Sequence, residues 1–82
     1  MIQIKFFARL RDQLGTADLQ LPYEKIQQVA DVQTALIKQH PDWQDVLMAA
    51  NILVAVNETM SHKNSDVSDG DEIAFFPPVT GG

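Results

Sequence analysis

Residues 69–82 read DGDEIAFFPPVTGG. The Asp69-Gly70 pair is a tight-turn signal, and the short, apolar run from Glu72 to Phe76 has the composition of a last strand. Pro77 and Pro78 lack the backbone N–H that a sheet ladder needs, so they end that strand and send the remaining residues away as an extended arm. The other end of the chain offers the strand a neighbour. Ile2, Ile4, Phe6 and Ala8 recur with period two, while Gln3, Lys5, Phe7 and Arg9 take the opposite face. Pairing the last strand beside the first makes a parallel pair, with the intervening helix as the crossover.

Working inward, Arg11 to Gly15 reads as a short turn or helical corner closed by glycine, and Leu19 and Leu21 mark a second strand that Pro22 ends. From Asp31 the period changes. Val32, Ala35 and Leu36 fall at i, i+3 and i+4, Asp31 is placed to cap the helix, Lys38 and His40 sit near its C-terminus, and Pro41 stops it. Asp42 to Ala50 reads as a second short helix with Trp43, Val46 and Leu47 as its apolar stripe, covering one end of the sheet. Ile52 to Val56 is an apolar run suited to a central strand, bounded by a turn at Asn57 and Glu58 that Met60 follows. The expected order is strand, strand, helix, short helix, strand, strand. That is an α+β domain over residues 1–76, one main helix on one face of a mixed sheet, with an extended tail over residues 77–82.

Eighty-two residues suffice for one domain with a small core, and an apolar fraction of 45% is enough to pack it. The chain has no cysteine, which excludes disulfides, a thiolate nucleophile and a zinc knuckle. A net charge of −5 works against binding phosphate backbones, so nucleic acid is not an expected partner. No stretch reaches the ~20 apolar residues of a membrane span, and MIQIKFFARLRD alternates where a signal peptide would not. A soluble cytoplasmic protein is expected. No nucleophile and base pair, phosphate-cradling loop or metal cluster is visible, so any enzyme activity is expected of a complex and not of this chain alone. His40 and His62 lack a metal-spaced partner and read as a helix-end charge and a loop residue. Asp69, Asp71 and Glu72 read as a solvated turn. Asn57-Glu58-Thr59 is a glycosylation sequon without meaning in the cytoplasm, and Trp43 belongs to the core or its edge.

A Gly-Gly end by itself is either a loose terminus or a reactive arm. Gly81 and Gly82 have no β-carbon, so a terminal carboxylate behind them passes through a narrow channel. The arm from Pro77 reaches about 20 Å beyond the domain, and the two prolines stiffen its root. Phe7 and Phe76 lie opposite the core positions of their strands. They either stay exposed near the root of the tail or fold under the short helix, and alternation leaves both open.

The ending FFPPVTGG, with ILVAVN in the third strand and FFARLRDQLG near the start, resembles the small, sulfur-carrying subunits of molybdopterin synthase in order and length over the whole chain. The resemblance implies a ubiquitin-like β-grasp fold and a cycle run by other enzymes on the carboxylate of Gly82. A ubiquitin-activating-type adenylyltransferase consumes ATP to form a transient acyl-adenylate, and a sulfur donor enzyme converts this to a thiocarboxylate. The tail, Pro77, Pro78, Val79, Thr80, Gly81 and Gly82, then enters the synthase large subunit in a two-plus-two heterotetramer. There it delivers sulfur to cyclic pyranopterin monophosphate, and two deliveries build the molybdopterin dithiolene. No cofactor or metal is bound permanently. The resemblance assigns Phe7, Arg11, Met60 and Phe76 to the partner-binding face. Three rival readings remain: a thiamine-pathway sulfur carrier, which shares the fold and Gly-Gly end but generally lacks FFPPV; a protein modifier conjugated through Gly82; and a plain interaction module with an idle tail.

Overall fold

The computed structural model describes residues 1–49 and 51–77. Strand β1 (Ile2–Phe6) leads into α1 (Arg9–Leu14), β2 (Asp18–Leu21) and the long helix α2 (Val29–Gln39). A 3-10 turn (Pro41–Trp43) runs into α3 (Gln44–Leu47), and β3 (Leu53–Val56), β4 (Thr59–Ser61) and β5 (Glu72–Phe76) complete the chain. The five strands form one sheet in the order β2-β1-β5-β3-β4. β1 and β5 are parallel, with Ile4 opposite Ile73 and Phe6 opposite Phe75, and the other pairs are antiparallel. The mixed sheet and the crossover between its first and last strands are as expected.

Alternation turns Ile2, Ile4 and Phe6 of β1 and Ile73 and Phe75 of β5 to one face, where all five are buried. The buried stripe of α2, Val29, Val32 and Leu36, belongs to the same cluster. Trp43 closes one end of it, its indole 5.5 Å from Phe6 at 82°, the edge-to-face geometry that aromatic quadrupoles favour. Val67 and Ile26, which no periodicity marked, are also buried in the cluster.

Several local readings are corrected. β1 ends at Phe6, and Ala8 does not continue its buried face: it is exposed, with φ 55° and ψ −135°. The Leu10 N–H donates to the Phe7 carbonyl at 3.2 Å. These are the marks of a type II′ turn with Ala8 at its first central position, where glycine is favoured. Arg9 therefore leaves the face of Gln3 and Lys5 and opens α1. That helix ends on Gly15 in the left-handed conformation, as its glycine suggested.

The long helix starts at Val29, ahead of Asp31. Asp31 occupies the third helical position, where its carboxylate reaches back to accept the backbone N–H groups of Gln27 at 2.9 Å and Gln28 at 3.0 Å. The second short helix is a 3-10 turn beginning at Pro41 followed by a single α-turn that ends at Leu47; of the span expected to be helical, Ala50 lies outside the described residues. β3 is an interior strand as expected, flanked by β5 and β4, and β5 takes the middle of the sheet. The Val56–Thr59 hairpin that creates β4 has Asn57 at φ 49° and Glu58 at φ 68°, the two left-handed residues of a type I′ turn. Glutamate in the second place hides the Asn-Gly signal that usually announces such a hairpin.

His40 caps α2 through its backbone, and its ring lies flat on Trp43 at 3.8 Å; it makes no ion pair among the described residues. Asp31→Ala removes the partner of two first-turn donors and is expected to lower stability by about 1 kcal/mol. For a domain of this size that is a fall in melting temperature of about 4–8 °C, measurable by thermal unfolding.

Candidate partner-binding face at the tail root

The sheet has one face under α2 and one without a helix. Register places Gln3 and Lys5 of β1, Glu72, Ala74 and Phe76 of β5, Leu53 and Ala55 of β3 and Met60 of β4 on the helix-free face. Phe7 follows β1 and continues its ladder, its N–H donating to the Phe75 carbonyl at 3.1 Å. The rings of Phe7 and Phe76 stack at 5.0 Å with 8° between their planes. Phe7 is 40% exposed and Phe76 is half-buried. Of the two alternatives that alternation left open, the exposed one holds for Phe7 and only in part for Phe76. The stack sits beside Pro77, the last described residue, where the tail begins.

Two strands away, Met60 is 61% exposed and stands opposite Ala55, which stands opposite Ala74. Leu53, opposite Phe76, links the aromatic pair to this row. Alternation singled out Phe7 and Phe76 and the resemblance added Met60 and Arg11, but Leu53, Ala55 and Ala74 were passed over. Alternation through LVAV held the signal, since Val54 and Val56 cannot share a face with Leu53 and Ala55. Lys5, beside Ala74, reaches Glu72 at 3.3 Å and frames the polar end of the face. Arg11 is exposed on α1 and has no ion pair among the described residues. The expected reactive end, Gly82, and the tail positions Pro78, Val79, Thr80 and Gly81 lie outside the described residues.

The remaining polar candidates have local roles. Asp69 pairs with the N-terminal ammonium at 2.6 Å, and Asp71 accepts from the Ser68 N–H at 2.8 Å and from Asn57 Nδ2 at 2.9 Å. His62 Nδ1 accepts from the Asn64 N–H at 3.2 Å. Among the described residues no three His, Asp or Glu side chains stand together as a metal site requires, and no helix is long and apolar enough to cross a membrane. What the arrangement offers is an apolar face, part aromatic and part aliphatic, beside Pro77, the last described residue.

A mixed five-stranded sheet packed on one long helix, with an open apolar face at the exit of the C-terminus, is a ubiquitin-like β-grasp. The chain belongs to the ThiS family, whose profile matches residues 4–82. It is 39% identical to a molybdopterin synthase sulfur carrier subunit of Haemophilus influenzae and 37% identical to that of Escherichia coli K12, each over 82 residues and the full length of both chains. Among solved structures, SAMP1 of Haloferax volcanii superposes with a TM-score of 0.83 at 28% identity, covering 99% of this chain and 98% of that one. In fold it also resembles a chain in the complex of subunits 1 and 2 of molybdopterin-converting factor from Helicobacter pylori, with a TM-score of 0.66 at 21% identity, covering 99% and 97%. The relatives are named for carrying sulfur, and the non-catalytic subunit expected from the sequence agrees with them.

Phe7→Ala removes a half-exposed ring and its stacking on Phe76 without opening the core. It is expected to cost about 1 kcal/mol in chemical unfolding, well below the loss from a buried aromatic.

Proposed function

We propose that this chain is the sulfur-carrier subunit of a molybdopterin synthase and works through the carboxylate of Gly82. What supports the reading is full-length kinship with two chains of that name, joined to a docking face at the root of the tail. In the cycle implied, the Gly82 carboxylate attacks the α-phosphate of ATP on an adenylyltransferase of the ubiquitin-activating type, and pyrophosphate leaves. A carboxylate resists nucleophiles because its charge opposes attack; the mixed anhydride with AMP has a good leaving group. Sulfide-level sulfur supplied by the donor enzyme then adds as the nucleophile at the acyl carbon and AMP departs, leaving a thiocarboxylate. That anion is a soft nucleophile doing what a cysteine thiolate does elsewhere, in a chain that has no cysteine.

In the large subunit the sulfur passes to cyclic pyranopterin monophosphate, hydrolysis returns the carboxylate, and a second carrier completes the dithiolene. The tail from Pro77 to Gly82 is long enough for about 20 Å of channel, and glycine at both last positions keeps the route narrow. Docking covers Phe7, Phe76, Leu53 and Met60, with Arg11 at the margin, in a two-plus-two assembly in the cytoplasm. The complex known for the Helicobacter pylori neighbour is the kind of assembly expected.

A second reading, conjugation of Gly82 to lysines, draws on the modifier name of the Haloferax volcanii neighbour. It predicts adducts of high molecular weight that survive reducing agents.

Deleting Gly82 is expected to abolish molybdopterin formation in a reconstituted synthase assay while leaving the melting temperature unchanged; retained activity would contradict the proposal. Phe76→Arg replaces buried apolar contact with an unpaired charge and should weaken binding to the cognate large subunit by about tenfold or more. Titration calorimetry checks this, and unchanged affinity removes Phe76 from the interface.

A further inference from the structure

Two large apolar side chains of the helix-free face are exposed, Phe7 at its aromatic end and Met60 on β4. The small residues in the row of Met60 are not: Ala55, opposite it, and Ala74, one strand further, are both buried. Met60, more exposed than Phe7, thus presents its thioether to solvent where a partner would close over it. Its chemistry differs from that of its apolar neighbours. Aliphatic and phenyl groups resist mild oxidants, whereas the lone pair of a thioether sulfur attacks a hydroperoxide. The S–O bond forms as the O–O bond breaks; sulfur gives up two electrons, and with hydrogen peroxide the leaving group departs as water. No cysteine in the chain intercepts the oxidant. The other two methionines stand elsewhere. Met48 caps α3 and lines a groove with Val29, Gln33 and His62, and the Met1 ammonium is held by Asp69, at the opposite end of β1 from Phe7.

We infer that Met60 is an oxidation site that switches the docking face: its thioether form closes against the partner, and the sulfoxide form, made by a hydroperoxide, is rejected. The inference rests on the reading that this face binds the synthase large subunit. Sulfoxidation turns a flexible apolar side chain into a polar one. Docking then strips the new oxygen of water with no donor built to receive it, and a polar group buried without a partner lowers affinity by about fivefold or more. Docking also covers the sulfur, so the carrier is open to oxidation only between partners. The change is reversible, because methionine sulfoxide reductases, one for each epimer, return the sulfur to the thioether with electrons from a thiol reductant.

In the test, the full chain and its Met60→Leu variant are treated with hydrogen peroxide and then freed of it. Peptide mass mapping locates the sulfoxides, and melting temperature and affinity for the cognate large subunit are compared with those of the same chain untreated. The treated wild type is expected to carry sulfoxide at Met60, to melt as before because Met60 stands outside the buried cluster, and to bind about fivefold or more weakly. Met60→Leu keeps Met1 and Met48 as targets, and treatment should leave its affinity where it was. The two reductases should restore binding by the wild type. A chain oxidised at Met60 that binds like the untreated one overturns the inference. So do an equal fold-loss in Met60→Leu, a loss that comes with a lower melting temperature, and a Met60 that stays reduced while Met48 is oxidised. If Phe76→Arg weakens binding while oxidation of Met60 does not, only the role of Met60 falls; if Phe76→Arg binds normally, the docking reading fails and takes this inference with it.

Discussion

The parallel pairing of β1 with β5 is the constraint on which the rest of the molecule depends. It joins the two ends of the chain, and its register decides every side chain on both strands, because a slip of one residue exchanges the faces of a sheet. Ile4 beside Ile73 and Phe6 beside Phe75 send four large apolar groups under α2. The same register leaves Phe7 and Phe76 to meet on the opposite face. Backbone bonds from Gln3 to Asp71 at 2.9 Å and from Gly70 to Met1 at 3.1 Å, with the N-terminal ammonium on Asp69 at 2.6 Å, hold the open end of this pair. The ion pair is exposed and contributes little energy; the ladder and the buried faces carry the pairing.

Placing the last strand at the centre of the sheet has a functional consequence. A terminal arm leaving an edge strand would hang from the least stable part of a small domain. Here it leaves from β5, flanked by β1 and β3, so its root is held on both sides. The face around that root lacks a helix and carries apolar groups from four of the five strands or their ends, which a partner would cover as a third layer. Small Ala55 and Ala74 in the middle and the raised aromatic pair at the end give the face relief.

Much of the fold was legible because its periodicities are clean. The β1 alternation, the i, i+3, i+4 stripe of α2 and the proline stop after Phe76 each point to one element, and the parallel pairing follows from where those elements fall. The misses have physical causes. Asp31 signals a helix start equally well from the cap or from the third position, so the boundary shifted to Val29. Ala8 and Glu58 occupy left-handed turns without being glycine, which hid the II′ corner and the hairpin that forms β4. Alternation put Phe7 and Phe76 off the core but carried no information on whether α3 reaches them. Leu53 and Ala55 were overlooked because a run apolar on both faces reads as a buried strand even when one face is open. The expected reactive end, Gly82, was legible only as a motif and lies outside the described residues.

The central claim is that sulfur is carried on the carboxylate of Gly82. The most direct measurement is intact-mass spectrometry of the full chain after incubation with ATP, its adenylyltransferase and a sulfide source, followed by a thiol-directed alkylator. Replacing oxygen by sulfur changes the mass about as much as oxidising one of the three methionines does, and alkylation separates the two because the chain has no cysteine to compete. The account predicts a single ATP-dependent alkyl adduct that fragmentation maps to Gly82. No adduct, with an adenylyltransferase shown to be active on another carrier, would contradict it.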